Sequence, residues 1–217
     1  MKHLLVKELK MATPLLTYLF LGFTLMTFIP GYPILCGAFF VCFGIFQGYQ
    51  YSREAGDMAY SVVLSVKKTD LVKAKFVTAC LLQMVALVLF ALFTLLRMTF
   101  LAAAGVYVEN ALMGANFVFL GCVLLIFATF NWVFIGGFFK TAYNIGKPFV
   151  IFMIVGFFVI LVAEVLHHIP GIAWMNTLDY SDLRMQMPVL LCGVGLYVGI
   201  TILSCGAAQK RFAQIDL

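Results

Sequence analysis

The sequence predicts an all-α membrane protein of six transmembrane helices with both termini in the cytoplasm, and three observations carry that prediction. Of its 217 residues 64% are hydrophobic and 11% charged, Phe alone fills 23 positions, and the mean hydropathy is +1.08. A soluble core needs far less apolar surface than this. The apolar residues gather into six stretches that approach or meet the roughly 17 to 25 residues with which a helix crosses about 30 Å of hydrocarbon. Between those stretches the basic residues fall in a one-sided pattern.

The first stretch covers residues 14–29, with Pro14 in a first turn where the N–H that proline lacks would have no helical partner. Pro30, Gly31 and Pro33 break it, and the second covers 34–49. These two are short, so they read as a hairpin, one member of which could be partly re-entrant. The third covers 72–96, the fourth 112–139, the fifth 148–166 from Pro148 onward, and the sixth 189–208. Helix is the reading for all six, because an open strand in lipid leaves backbone N–H and C=O groups unpaired at several kcal/mol each. A signal peptide does not fit the first stretch, since no small-residue cleavage site precedes the turn and five more stretches follow. Residues 1–217 thus read as one transmembrane domain.

Orientation follows from Lys and Arg. Lys2, Lys7 and Lys10 precede the first stretch; Arg53, Lys67, Lys68, Lys73 and Lys75 lie between the second and third; Lys140 and Lys147 join the fourth to the fifth; Lys210 and Arg211 follow the sixth. Twelve of the 14 basic residues therefore share one side, and only Arg97 and Arg184 lie on the other. The positive-inside rule makes the crowded side cytoplasmic. Acidic residues show no such bias: Glu8, Glu54, Asp57, Asp70 and Asp216 fall inside, and Glu109, Glu164, Asp179 and Asp182 outside. The net charge of +5 is accordingly a topology signal. Nucleic acid is excluded as a partner because the cations are split among four short segments instead of forming one basic face.

The six cysteines, Cys36, Cys42, Cys80, Cys122, Cys192 and Cys205, all fall in predicted spans without a CxxC pair, and read as small buried apolar residues. Helices in lipid associate through small residues and polar contacts, and Gly44 with Gly48, and Gly195 with Gly199, form two GxxxG matches. At about 100° per residue Thr13, Thr17 and Thr24 share a face of the first span, as do Gln83, Thr94 and Arg97 on the third. Intramembrane polar residues turn to the bundle interior or to a water-filled path. Thr17, Thr24, Gln83, Thr94 and Arg97 are therefore the candidates for a translocation path. The plainer alternative has the threonines bonding their own backbone and Arg97 snorkelling to the outer interface. Asn131 and Trp132, in the cytoplasmic half of the fourth span, read as packing or interface residues.

One cluster suggests chemistry. Glu164, His167 and His168 fall at i, i+3 and i+4 on one face near the outer end of the fifth span, and two imidazoles with a carboxylate can hold zinc and leave a position for water. The order is ExxHH, however, neither HExxH nor HxxEH. These residues read first as interface residues opening an outer loop through Trp174, Asp179, Tyr180, Asp182 and Arg184, with no metal assigned. Neither GxSxG nor the Walker GxxxxGK[ST] pattern occurs, so no catalytic residue is assigned and this chain does not hydrolyse ATP by that route.

The longest segment a membrane could not hold is 51–76. Arg53, Glu54, Ala55, Gly56 and Asp57 make a polar turn, and 58–66 is apolar but too short to span. Met58, Ser61, Val62, Leu64 and Ser65 would form a short amphipathic helix at the interface, and Thr69 or Asp70 would cap the helix that follows. The run Leu64, Ser65, Val66, Lys67, Lys68, Thr69, Asp70, Leu71, Val72, Lys73, Ala74, Lys75, Phe76 resembles a stretch of small ABC-2-type permeases, the membrane halves of ATP-binding-cassette exporters, including bacterial peptide-toxin and antibiotic exporters. Phe138, Phe139 and Lys140 with Lys147 are similar to the family's phenylalanine–lysine turn. Ser65 departs from the family's usual proline.

The resemblance implies a coupling helix between spans two and three that docks on a separate ATPase subunit, in a cytoplasmic coupling segment of residues 51–70. It puts Arg53, Glu54, Asp57, Met58, Tyr60 and Ser61 at that contact, and makes residues 2–10 an amphipathic elbow helix whose lysines suit anionic headgroups. ATP and Mg would be bound by the partner ATPase, with no cofactor in this chain. A second permease chain, identical or different, would complete the path in the plasma membrane. The cargo would be amphipathic or hydrophobic, such as a peptide. Glu54→Lys or Asp57→Lys should then uncouple ATP use from export without unfolding the bundle. Two other classes stay open: an ATP-independent secondary transporter or channel, which would want acidic residues or broken helices at the midplane, and a metal-dependent intramembrane hydrolase using His167.

Overall fold

Helix is the only regular structure among the described residues of the computed structural model, which are 2–11, 13–63, 66–102, 104–108, 110–140, 144–178 and 182–215. In chain order they are α1 (Lys2–Met11), α2 (Leu15–Phe20) running on as a 3-10 helix (Leu21–Phe28), α3 (Cys36–Glu54), α4 (Asp57–Val63), α5 (Lys68–Phe100), α6 (Gly105–Val108), α7 (Phe117–Phe138), α8 (Gly146–Leu166) and α9 (Leu183–Ala213). Four of them, α5, α7, α8 and α9, are long and apolar enough to cross a membrane; the pair formed by α1 and α2, bent by 80°, would be a fifth if taken as one span. The sequence reading of six is not reached by length and composition. Its second span, 34–49, corresponds to α3, whose last turns carry Gln47, Gln50, Ser52, Arg53 and Glu54 and dilute the apolar run.

The first span differs in kind. After Phe20 it tightens from α to 3-10, and the threonines show why: Thr24 Oγ1 donates to Leu21 O at 2.8 Å and Thr27 Oγ1 to Thr24 O at 2.7 Å. Such bonds three residues back compete with the α ladder and suit the tighter turn. Other boundaries move as well. α5 is longer than 72–96 at both ends, and Lys67 in extended backbone stands at its N-cap without a side-chain cap bond, so Thr69 and Asp70 lie in the first turn instead of capping it. α7 starts at Phe117 because Asn116 accepts from Phe119 N–H at 3.0 Å, a side-chain N-cap. α9 begins at Leu183 and carries Pro188 inside it. Of the proposed amphipathic helix, α4 covers the part through Val63; Leu64 and Ser65 lie outside the described residues, as do Asp179, Tyr180, Glu109 and Asp216.

α7 is the central helix. Of its apolar window 72% is buried within the chain, against 33%, 28% and 22% for α5, α8 and α9, which present outward faces. It crosses α9 at a glycine pair: a Cβ on Gly193 would sit 2.8 Å from the Gly121 carbonyl oxygen, so the two backbones approach as only small residues allow. On its other side Phe rings fill the space toward α3 and α8. Phe46 stacks on Phe149 at 3.9 Å, Phe39 on Phe152 at 5.6 Å, and Phe134 is fully buried among them. The phenylalanine content thus serves the interior as well as the lipid face, each such pair contributing about 0.5 to 1.5 kcal/mol beyond burial.

Within α7 the residues Phe130–Ile135 form a π turn, closed by Gly136 N–H on the Asn131 carbonyl. Ser204 Oγ of α9 donates to that same carbonyl at 2.8 Å. The six cysteines are all free.

Candidate functional site

One end of the bundle gathers the basic segments. Lys68 of α5 donates to the Ile215 carbonyl at the end of α9, Phe139 packs on Phe212 at 5.4 Å, and α1 meets the start of α5. At this end α3 runs to Glu54, and the chain turns through Gly56 in the left-handed region, φ +63°, where a side chain would be strained. Asp57 then opens α4, where a carboxylate suits the positive N-terminal end.

That turn places Asp57 in a cluster of charges drawn from three helices, with a serine from a fourth. Lys7 of α1 pairs with Asp57 Oδ1 and donates to Ser61 Oγ, while Ser61 donates to the Asp57 carbonyl at 2.7 Å. On the other carboxylate oxygen, Ser52 of α3 donates at 3.1 Å and Lys75 of α5 approaches to 3.5 Å. Lys75 also donates to Ser52 Oγ at 2.8 Å and to Glu8 Oε2 at 2.9 Å. Two cations and two anions thus lock α1, α3, α4 and α5 together. Their burial is graded: Lys75 and Glu8 side chains are 3% and 2% exposed, Lys7 and Asp57 23% and 14%. Burial alone would push the Asp57 carboxyl up, but the Lys7 ammonium bonded to it, with Lys75 behind, outweighs burial and holds it below the usual carboxylate range. Glu8 Oε1, Tyr49 Oη and Thr78 Oγ1 have no hydrogen-bond partner among the described residues and line one cavity of about 20 Å³, the size of a single water.

The six residues that the resemblance assigned to a partner contact divide into two sets. Arg53, Glu54 and Tyr60 are exposed, with Val63 beside them. Asp57, Met58 and Ser61 face their own chain: Met58 is buried, Ser61 is held by Lys7, and Asp57 belongs to the charge cluster. Substituting Asp57 by lysine would set a third cation beside Lys7 and Lys75, so it is not a change that leaves the bundle undisturbed. A groove of about 650 Å³ opens between α1 and α4, flanked by Lys7, Lys10, Tyr51 and Tyr60.

The candidate path residues are all buried inside this chain. Thr17 donates to the Gly44 carbonyl at 2.9 Å, which gives that GxxxG glycine an internal role, whereas Gly195 and Gly199 are exposed. Thr24 bonds its own backbone. Gln83 and Asn131 exchange amide hydrogen bonds at 2.9 and 3.1 Å; Tyr197 donates to Gln83 Oε1 at 2.8 Å and Asn131 Nδ2 donates to Thr201 at 2.9 Å. Thr94 is fully buried. Arg97, far from snorkelling, is also fully buried, donates to the Thr27 carbonyl at 2.7 Å and stacks 4.3 Å over Tyr107. Trp132 is half-exposed beside the buried Asn131.

Glu164, His167 and His168 do not assemble a metal site, and no other group of His, Cys, Asp and Glu among the described residues does. Glu164 accepts from Met113 N–H at 2.9 Å and His167 Nε2 lies 3.2 Å from the Ala111 carbonyl, so both fasten the loop ahead of α7. Residues the sequence reading did not single out are Lys7, Glu8, Ser52 and Lys75. Glu8 carried a signal: in α1 it sits one turn from Leu4, on the side a lysine-flanked helix turns to its neighbours, and an acid there requires a cation.

Several membrane-length helices, with a charge cluster binding a short surface helix to the bundle, define a multi-pass membrane protein. The chain belongs to the ABC-2 family of transporter proteins: the profile described as ABC-2 family transporter protein matches residues 3–213. Membership makes it a transport membrane subunit, not itself catalytic, and implies an ABC ATPase partner. Searches of curated proteins and of solved structures return no match.

Proposed function

We propose that this chain is the permease subunit of an ABC exporter, with α4 as its coupling helix and the charge cluster as the joint that passes ATPase movement to the membrane helices. The observation that carries this reading is the division of α4: Tyr60 and Val63, with Arg53 and Glu54 just before the helix, are free to meet a partner, while Asp57, Met58 and Ser61 are fastened to α1 and α5. Nucleotide closure in the partner, which would bind ATP and Mg, displaces α4; a stiff ionic joint moves the elbow and α5 with it. Free energy enters through the partner, and this chain needs only different contacts in two states.

In this reading the basic end is cytoplasmic, both termini included, and six spans result. Leu15–Phe28, six residues at about 1.5 Å and eight at about 2.0 Å per residue, reaches roughly 25 Å. α3, 19 residues long, reaches about 28 Å, so the two form a hairpin close to bilayer thickness. A second permease chain, identical or different, completes the path in the plasma membrane. The candidate polar residues are buried within this chain, so a path between two copies would be lined by outward, mostly apolar faces, which suits an amphipathic or hydrophobic cargo such as a peptide. The test is isolation of the chain from its native membrane: co-purification of a P-loop ATPase whose turnover rises with cargo supports the proposal, and reproducible absence of any ATPase overturns it.

A further inference from the structure

At the basic end a groove of about 590 Å³, with no lining residue from α4, opens between the ends of α7 and α9 and the start of α8. Its two halves differ in chemistry. Lys140, Lys147 and Arg211 stand at the end of the bundle, all exposed, and make no ion pair or side-chain hydrogen bond among the described residues. Below them the walls are Val133, Pro148, Ile151 and Ala207, with the half-exposed Trp132 eight residues, roughly 12 Å, deeper along the helix than Lys140. Among the described residues no acidic side chain lines the groove. At its floor α7 packs closely on its neighbours through Gly136 and Gly137: a Cβ on Gly136 would lie 2.7 Å from Ser204 Oγ, and one on Gly137 3.0 Å from Pro148.

We infer that this groove binds one anionic phospholipid of the inner leaflet, with its headgroup among Lys140, Lys147 and Arg211 and an acyl chain along Val133, Ile151 and Trp132. Charge complementarity selects that occupant: three cations without a counter-ion lie at headgroup level, directly above apolar walls at acyl depth. A zwitterionic lipid would satisfy the walls but leave the cations facing its own choline, and a soluble anion would leave the walls wet. The volume lies within the range of pockets that enclose a ligand of a few hundred cubic ångströms. Anionic headgroups attract each nearby basic residue by about fivefold in partition. Because the three cations come from α7, α8 and α9, an anion among them ties those helix ends together. The inference rests on the proposed reading only in placing the basic end at the inner leaflet, and needs nothing of ATPase coupling, so the two stand or fall separately.

Trp132 reports on the site. Trp174→Phe makes it the sole tryptophan of the full-length chain, which is reconstituted in phosphatidylcholine nanodiscs containing equal mole fractions of acyl-brominated phosphatidylglycerol or acyl-brominated phosphatidylcholine. The site predicts that the anionic lipid quenches Trp132 at a concentration about tenfold lower or more. K140Q, K147Q and R211Q, all changes at exposed positions, should each reduce that preference about threefold to fivefold, and K140R, which keeps the charge, should retain it. Equal quenching by the two lipids, or an unchanged preference in the triple variant, overturns the inference. Loss of the preference on adding soluble glycerol phosphate would assign the cations to a free anion. Its loss in the complex with the ATPase would assign them to an acidic protein surface.

Discussion

Two polar clusters hold this molecule together, and they are built from different chemistry. At the basic end Lys7, Glu8, Asp57 and Lys75 pair as full charges and join three helices, one of them the seven-residue α4, with Ser52 bonding in from a fourth. In the middle of the bundle Gln83, Asn131, Tyr197, Thr201 and Ser204 form a neutral network across α5, α7 and α9. Depth accounts for the difference. Charges at a bilayer centre cost several kcal/mol each, so the interior uses amides and hydroxyls that satisfy one another. Close to the water boundary an ion pair costs less, and its directionality suits the joint proposed for α4. The mid-bundle network sits at the π turn, whose Asn131 carbonyl accepts from both Gly136 N–H and Ser204, so it fixes helices that should stay together.

The comparison breaks most visibly at Lys75. Lys75→Met leaves the Glu8 carboxylate buried without a counter-ion and should cost about 3 to 5 kcal/mol of stability in detergent unfolding, most of it recovered in the Glu8→Gln, Lys75→Met double variant. Recovery is the informative result, since it separates an ion pair from simple packing. Asn131→Leu deprives Gln83 Nε2 of its partner, Oε1 keeping Tyr197, and should cost about 1 to 2 kcal/mol by the same measurement, without altering the α4 region. A larger loss there than at Lys75 would reverse the ranking of the two clusters.

Asp57→Asn should have a smaller effect, about 1 kcal/mol, and a pH signature that the neutral network lacks. The folded-state pKa of Asp57 lies below its ordinary value of 3.8, so its contribution is complete above that value and is lost as pH falls through the lower folded-state value. The stability gap between the parent and Asp57→Asn should therefore close in acid, while the Asn131→Leu gap stays constant. Smallest in stability are Glu54→Lys and Tyr60→Ala, which should stay within about 0.5 kcal/mol of the parent because both side chains are exposed. Their expected effect is on coupling: export and its stimulation of the ATPase should fall while basal ATP use continues.

Long apolar runs made α5, α7, α8 and α9 legible in the sequence, since twenty apolar residues in lipid have no alternative to helix. The 3-10 turn after Phe20 and the π turn at Phe130 were not legible, because each depends on a few hydrogen bonds, Thr24 to Leu21 and Ser204 to Asn131, that periodicity does not encode. Gln83, Thr94 and Arg97 are buried together along α5, whereas Thr13 precedes α2 and Thr24 lies in the 3-10 segment, and a face does not say whether its neighbour is water or another helix. Gln83 pointed at Asn131, an amide 48 positions away. At the joint the motif located α4 and the basic return through Lys75; the inward turn of Asp57 and Ser61 follows from Lys7 and Glu8 on a helix some fifty residues earlier, a tertiary contact beyond local reading.

The division of α4 into an outward and an inward face is tested most directly by photocrosslinking in native membranes, with benzoylphenylalanine placed in turn at positions 60 and 58. Tyr60 is 63% exposed and Met58 5%. An adduct with a P-loop ATPase from position 60, and adducts from position 58 confined to this chain, are the predicted result. An ATPase adduct from position 58, or none from position 60 in an otherwise active transporter, would contradict it.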